Sequence, residues 1–338
     1  MNLIAPFGIL YGYITDLRNY FYVRGIFKTI DLGARTISVG NITTGGTGKT
    51  PLVALIANIL AEHGEKVCIL TRGYGRKDEN KRVVVCSRDT VVADAELAGD
   101  EPVELAQQLL GRAIIIADAD RVAAANWAKD NFGITTFVLD DGYQHRRAKR
   151  DLDIVCIDAT DPFGKGRVLP AGRLREPVAN LKRASSIVIT RASLVNSDDE
   201  ILKKVTAIAP DALIFRCDFR IKEFRPLEAT PERAEFDPDE KAFAFCALGN
   251  PKNFFETLRR AGVNLAGELC FPDHYKYNHE DVSAIENAAK SAGASRLITT
   301  AKDAVKLQNL QFSLPCFVGV IETVIDDPVR FRELVLSV

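Results

Sequence analysis

The stretch ISVGNITTGGTGKTPLV, from Ile37 to Val53, constrains this chain more than any other. An apolar, β-branched run enters a turn with glycines at 45, 46 and 48, then leaves as a helix pattern with apolar residues at 52, 53, 55, 56, 59 and 60. Strand, turn and helix in that order make a βα unit, which buries its apolar surface as part of a largely parallel sheet. The alternation recurs, with strand patterns at 36–39, 66–70, 113–117, 136–139, 154–157 and 186–189 and helical patterns at 50–63, 120–131, 177–184 and 198–209. The expected fold is α/β, a doubly wound, mostly parallel sheet over residues 31–221. The polar, Pro-containing stretch 222–240 reads as a linker, and Ala242 to Leu248 starts a second alternation, so 241–338 is expected to form a smaller α/β lobe. A chain of 338 residues is long enough for both units.

A turn of this kind suits phosphate. Gly45, Gly46 and Gly48 allow backbone conformations that turn consecutive N–H groups inward, and the helix opening at Lys49 adds its dipole. Thr43, Thr44, Gly45, Gly46, Thr47, Gly48, Lys49 and Thr50 are therefore the expected nucleotide-binding loop. Lys49 would reach the β and γ phosphates of ATP, and the Thr50 hydroxyl would hold magnesium. The strict pattern asks for glycine at 43, where this chain has threonine. A strand at 136–139 delivers Asp140 and Asp141 to the carboxyl edge of the sheet, where doubly wound folds bind ligands. On its own such a pair is also a common turn or helix cap; beside a phosphate loop it reads as a metal carboxylate pair. His145 either orients that pair by a hydrogen bond or satisfies a loop carbonyl.

Phosphoryl transfer to an alcohol further needs a base and cations for the transferring oxygens. LAGDEP puts Asp100 and Glu101 after a turn glycine, as a base or as a helix N-cap. FPDHYKY sets Asp273 and His274 among aromatics, as an acid–base pair or as packing. The Pro- and Gly-rich GRVLPAGRLREP carries Arg167, Arg173, Arg175 and Glu176, and arginines in such a loop suit phosphate clamping. HRRAKR, from His145 to Arg150, and RGYGR, from Arg72 to Arg76, add cations after strands.

Charge and cysteine usage remove several other classes. Lys plus Arg total 44 against 45 acids, which gives no global reason to expect a nucleic-acid partner. Seven scattered cysteines without a CxxC pair suit reduced thiols and argue against zinc. No run approaches the roughly 20 apolar residues of a spanning helix, and no cleavable signal is evident. Leu3, Ile4, Phe7, Ile9, Leu10, Tyr11, Tyr13, Ile14, Tyr20, Phe21, Tyr22 and Phe27 are interrupted by Arg18, Arg24 and Lys28. That pattern fits an amphipathic helix packed on its own core or one lying in a bilayer interface.

Taken in order, GNITTGGTGKTP, RGYGR, GDEP, DDGYQH, LPAGRLREP, ALGNPKNFF and FPDHYKY resemble the tetraacyldisaccharide 4'-kinase family of lipid A synthesis, within the P-loop NTPase superfamily, along most of the chain. Thr43 is typical of that family's loop. The resemblance implies ATP and Mg2+ as cofactors and a tetraacylated glucosamine disaccharide 1-phosphate as acceptor, phosphorylated at its 4'-hydroxyl. It implies Lys49 and Thr50 as ATP and magnesium contacts, Asp140 and Asp141 as metal carboxylates, and Glu176 and His145 near the metal. It implies Asp100 as the base tuned by His274, and Arg175 stabilising the transferring phosphate. It further implies that residues 1–30 rest on the cytoplasmic face of the inner membrane, with no obligate protein partner. Rival expectations are a P-loop kinase of a soluble metabolite and a ParA- or MinD-like ATP switch; the latter places lysine before the glycine pair, where this chain has Thr44.

Overall fold

The computed structural model describes residues 4–227 and 235–337. Leu3 and the stretch 228–234 of the expected linker lie outside the described residues. Helix α1 (Ala5–Val23) leads into β1 (Arg35–Asn41), α2 (Lys49–Glu62), β2 (Val67–Thr71) and β3 (Val83–Ser87). Then come α3 (Ala95–Ala98), α4 (Asp100–Gln108), β4 (Ala113–Ala117), α5 (Arg121–Phe132), β5 (Thr136–Asp140), β6 (Leu152–Asp158), β7 (Ser186–Thr190), α6 (Asp199–Ile208) and β8 (Leu213–Pro226). The chain closes with β9 (Ala242–Cys246), α7 (Pro251–Arg260), β10 (Leu265–Cys270), α8 (His279–Ser291), β11 (Arg296–Thr300), α9 (Ala301–Leu307), β12 (Cys316–Ile325) and α10 (Pro328–Leu336). Among the described residues, twelve strands form one sheet in the order β10-β9-β11-β12-β8-β7-β6-β1-β5-β2-β4-β3.

The sequence explains this mixed α/β sheet directly. Strands such as Ala113–Ala117 and Thr136–Asp140 are buried at every position, as expected of parallel strands covered by helices on both faces. β1 pairs in parallel with β5 and β6, so its carboxyl end opens beside theirs. The antiparallel pairings are β3 with β4 and the long β8 with β12. β8 and β12 run together from Cys217–Ile325 to Pro226–Phe317, with a register shift between Val320 and Ile321. They join a large N-terminal group of strands to the C-terminal group β9, β10 and β11. The C-terminal strands bury a core of their own, including Phe243, Phe245, Ile285 and Leu297.

Three local expectations change. β8 continues through Pro226, five residues into the stretch read as a linker, because β12 supplies its hydrogen-bond partner. β3, unmarked in the sequence reading, pairs with β4 as an edge strand. The helix read at 177–184 is a 3-10 helix, Val178–Arg183, whose Asn180 accepts from the Tyr143 hydroxyl and donates to Asp16.

Helix α1 docks through its two buried glycines, Gly8 against Val168 and Ala171, Gly12 against Pro177 and Val168. Its polar residues make the remaining ties: Arg18 donates to the Gln144 carbonyl at 2.8 Å and Asn19 to Glu176 at 3.2 Å. Most of its apolar side chains face outward, Tyr13 at 71% and Phe7 at 63% exposure among them. No helix among the described residues is long and apolar enough to cross a membrane.

Candidate active site

A cavity of about 880 Å³ lies where the carboxyl ends of β1, β2 and β5 face the C-terminal strands. The glycine turn forms one wall. Gly45 has φ +110° and Gly48, the residue before α2, φ +81°, a region closed to most side chains. A Cβ at Gly48 would also run into the Phe219 ring of β8. Neighbouring elements pin the turn by its carbonyls and side chains. Arg173 donates to the Thr44 carbonyl at 2.7 Å, Thr190 to the Thr47 carbonyl at 2.9 Å, and Asn41 to the Thr47 hydroxyl at 2.9 Å. Arg191 donates to the Gly46 carbonyl at 3.0 Å while paired with the buried Asp158 at 2.5 Å. The Thr44 N–H is itself taken by the Arg173 carbonyl at 2.8 Å and the Thr47 N–H by the Gly45 carbonyl at 3.0 Å, so the amides that can meet an anion are those of Gly45, Gly46 and Gly48 and of the first turn of α2.

Beside the turn, Lys49 Nζ stands 3.5 Å from Asp141 Oδ1, and Arg175 Nη1 donates to Asp141 Oδ2 at 2.6 Å. The two acids sit differently. Burial pushes Asp140 up to about 6, helped by Glu101 and Asp141; it accepts from the Thr71 hydroxyl at 3.0 Å. Burial works the same way on Asp141, but Lys49 and Arg175 outweigh it and hold that carboxyl down to about 2. Each acid keeps a buried Oδ1 without a hydrogen-bond partner, which is the condition of an oxygen that can serve a cation. Among the described residues no group of three or more His, Cys, Asp and Glu is arranged to hold a metal ion by itself. A magnesium ion here would therefore draw on Thr50 and the acid pair and complete its shell with phosphate and water oxygens, as that ion usually does.

The facing wall comes from α4, the loop after β10 and α9. His274 Nδ1 lies 3.3 Å from Asp100 Oδ2, which accepts from it when the ring carries a proton on Nδ1. Burial would raise Asp100, yet His274, Lys306 and Lys302 together hold it below the ordinary aspartate range. Lys302 bridges Glu101 at 3.4 Å and Asp273 at 3.0 Å. Glu104, one turn beyond Asp100, is pushed up to about 7 by burial and by Glu101. Three non-glycine residues with positive φ belong to this region: Asp141 at 53°, Arg191 at 57° and His274 at 59°. Such backbone strain persists only where surrounding contacts enforce it, and it concentrates at functional sites.

A family model for tetraacyldisaccharide-1-P 4'-kinase matches residues 1–338. The chain belongs to this family. It is 39% identical over 329 residues to the tetraacyldisaccharide 4'-kinase of Geobacter metallireducens, covering 97% of this chain and 95% of that one. It is 35% identical over 346 residues to the tetraacyldisaccharide 4'-kinase of Syntrophus aciditrophicus, covering 99% and 92%. Its fold superposes on the crystal structure of LpxK from Aquifex aeolicus in complex with ATP, with TM-score 0.77 and 29% identity over 99% of this chain and 98% of that one.

Of the residues expected for a 4'-kinase site, Thr44 to Thr50, Asp140, Asp141, Arg175 and His274 line the one cavity, with Asp100 directly behind His274. Three others do not reach the cavity wall. Thr43 is buried and bridged to Leu174. Both Glu176 oxygens are occupied, by Arg183 at 2.8 and 3.2 Å, Gln144 at 2.9 Å and Asn19 at 3.2 Å. His145 is driven down to about 4 by burial and by Arg121 and Arg150, which leaves a neutral ring with a buried, unpartnered Nε2. The residue reading missed Lys302, Glu104, Gln144 and Arg191, all in the 4'-kinase cavity wall. Lys302 follows a strand, β11, as a helix begins, the same junction that marked Lys49 and was available as a signal.

Proposed function

We infer that the chain transfers the γ-phosphate of ATP to the 4'-hydroxyl of a tetraacylated glucosamine disaccharide 1-phosphate, the lipid A precursor. The observation that carries this reading is that the phosphate-type turn with Lys49, Asp141 and Arg175 and the Asp100–His274 pair face each other across one cavity. Domain boundaries near 31–221 and 241–338, with β8 and β12 between the units, are part of the same reading.

Within it, the turn is a P-loop whose amides and Lys49 hold the triphosphate, and Thr50 with Asp140 and Asp141 holds magnesium. ATP with magnesium supplies the phosphoryl group and neutralises part of its charge. Arg175, fixed at 2.6 Å from Asp141, stands ready for charge on the transferring oxygens. The Asp100–His274 pair accepts the hydroxyl proton as a unit, Asp100 carrying the negative charge while His274 faces the cavity. Gln144, Glu176 and His145 orient this edge rather than ligate a metal. Gln144 links Glu176 to the Asn41 carbonyl at 2.8 Å, behind the turn.

The acceptor carries four acyl chains and stays in a bilayer or micelle, so the site must approach an interface. Helix α1 is the element for that. Its outward Phe7, Ile9, Leu10, Tyr13, Ile14 and Leu17, even half buried in lipid, would contribute on the order of 5 kcal/mol. Tyr11 on the same helix lines the cavity, which connects the interface to the acceptor end. The chain is thus read as peripheral to the cytoplasmic face of the inner membrane.

The test is transfer of labelled phosphate from ATP to detergent-dispersed acceptor. One phosphate on the non-reducing sugar is expected; ATP consumption without lipid labelling would refute the assignment.

A further inference from the structure

Helix α9 presents two lysines one turn apart, Lys302 and Lys306, to successive acids at the start of α4. Lys302 meets Glu101 in the cavity wall. Lys306 is different: its side chain is 6% exposed, it lies outside the cavity lining, and its Nζ is 3.6 Å from Asp100 Oδ2 and 3.1 Å from Asp303 Oδ1. A buried ammonium is costly unless its surroundings repay it, and this one has no hydrogen bond of acceptable geometry. Its role is therefore electrostatic.

What fixes it is visible on the other side. Asp303 is fully buried, and it accepts from the Thr300 hydroxyl at 2.7 Å, the Ala247 N–H at 3.1 Å and the Tyr277 hydroxyl at 3.1 Å. The ammonium also lies 5.4 Å from the centre of the Tyr277 ring. With Asp303 immobile, Lys306 is held between a saturated carboxylate and Asp100, whose remaining listener is His274. We propose that Lys306 is a positioning residue of the phosphoryl transfer, a fixed cation from α9 that keeps Asp100 ionised and aligned on His274. The base is then complete only when α9 of the C-terminal strands docks on α4 of the N-terminal ones. This inference rests on the reading of Asp100–His274 as the base.

The titratable groups around the Asp100 and Lys306 pair are Glu101 and Glu104 on α4, Asp273, His274 and the neutral Tyr277 on the loop after β10, and Lys302 and Asp303 on α9. Removing the Lys306 cation favours protonation of the Asp100–His274 pair. A Lys306 that merely neutralised Asp303 would, when replaced, weaken folding and lower activity equally at every pH.

The experiment is a pH profile of kcat/KM for the lipid acceptor with Lys306→Met, Lys306→Gln and Lys306→Arg. In the Met and Gln variants the acidic limb should move up by about one pH unit, a roughly tenfold loss on that limb that closes at higher pH. Lys306→Arg should restore the limb, and ATP binding should stay at the parent level in all three. If Lys306→Met does not fold, Lys306→Gln is read with the same expectation. An unmoved limb, or a uniform loss across pH, overturns the proposal. Asp100→Asn separates this from the parent reading: if that variant keeps full activity, the base assignment itself fails. If it loses activity while the Lys306 variants keep the parent profile, only the role of Lys306 fails.

Discussion

Lys49 stands on one wall of the cavity and Asp100 lies behind His274 of the opposite wall, and the two have separable tasks. Lys49 sits 3.5 Å from Asp141 at the start of α2, where it would meet phosphate before any chemistry. Lys49→Ala should weaken ATP binding by about tenfold or more, read by calorimetry, since a charge-assisted contact to phosphate contributes roughly 1.5–3 kcal/mol. Asp100→Ala should leave that binding nearly unchanged while kcat falls by about 10² to 10⁴. Parallel losses in both quantities for both variants would contradict this division. At this scale the sequence was legible wherever a residue followed a strand into a turn, as Lys49, Asp140 and Asp141 do. It singled out Glu176 as a residue near the metal but not its partners, Arg183, Gln144 and Asn19, which take its oxygens. Gln144 and Asn19 lie 32 and 157 residues away and leave no local pattern.

Among the elements, α1 tests the account best because its two faces do different things. The inner face is set by Gly8 and Gly12 and by Arg18 and Asn19, which reach Gln144 and Glu176 behind the turn. The outer face is apolar, and among the described residues nothing covers Phe7, Ile9 or Tyr13. Replacing Phe7, Ile9 and Tyr13 together with serine should release the protein from vesicles and raise KM for the lipid several-fold, with ATP binding and thermal midpoint close to parent; co-sedimentation reads the first. A fall in thermal midpoint with vesicle binding intact would instead make α1 a piece of the core. The sequence left both readings of this helix open, because composition says that a face is apolar but not what covers it. Parallel strands such as Ala113–Ala117 were legible as continuous buried runs. The edge strand β3 was not, since its Val83–Ser87 run is only partly buried and lies next to the charged loop at 77–82.

For the whole molecule, the decisive feature is one sheet that carries two groups of strands joined through β8 and β12. The sequence showed both alternations but not their junction, because an antiparallel pair spanning Cys217–Pro226 and Phe317–Ile325 depends on contacts about a hundred residues apart along the chain. That junction brings Lys302 and His274 opposite the glycine turn and makes a shared cavity out of two separate folding patterns. The most direct measurement is a crystal structure with magnesium and a non-hydrolysable ATP analogue. The account predicts the triphosphate on the amides of residues 45, 46 and 48–50, with Lys49 on its β and γ phosphates and the metal between Thr50 and the acid pair. A triphosphate bound elsewhere, with those amides unengaged, would contradict it.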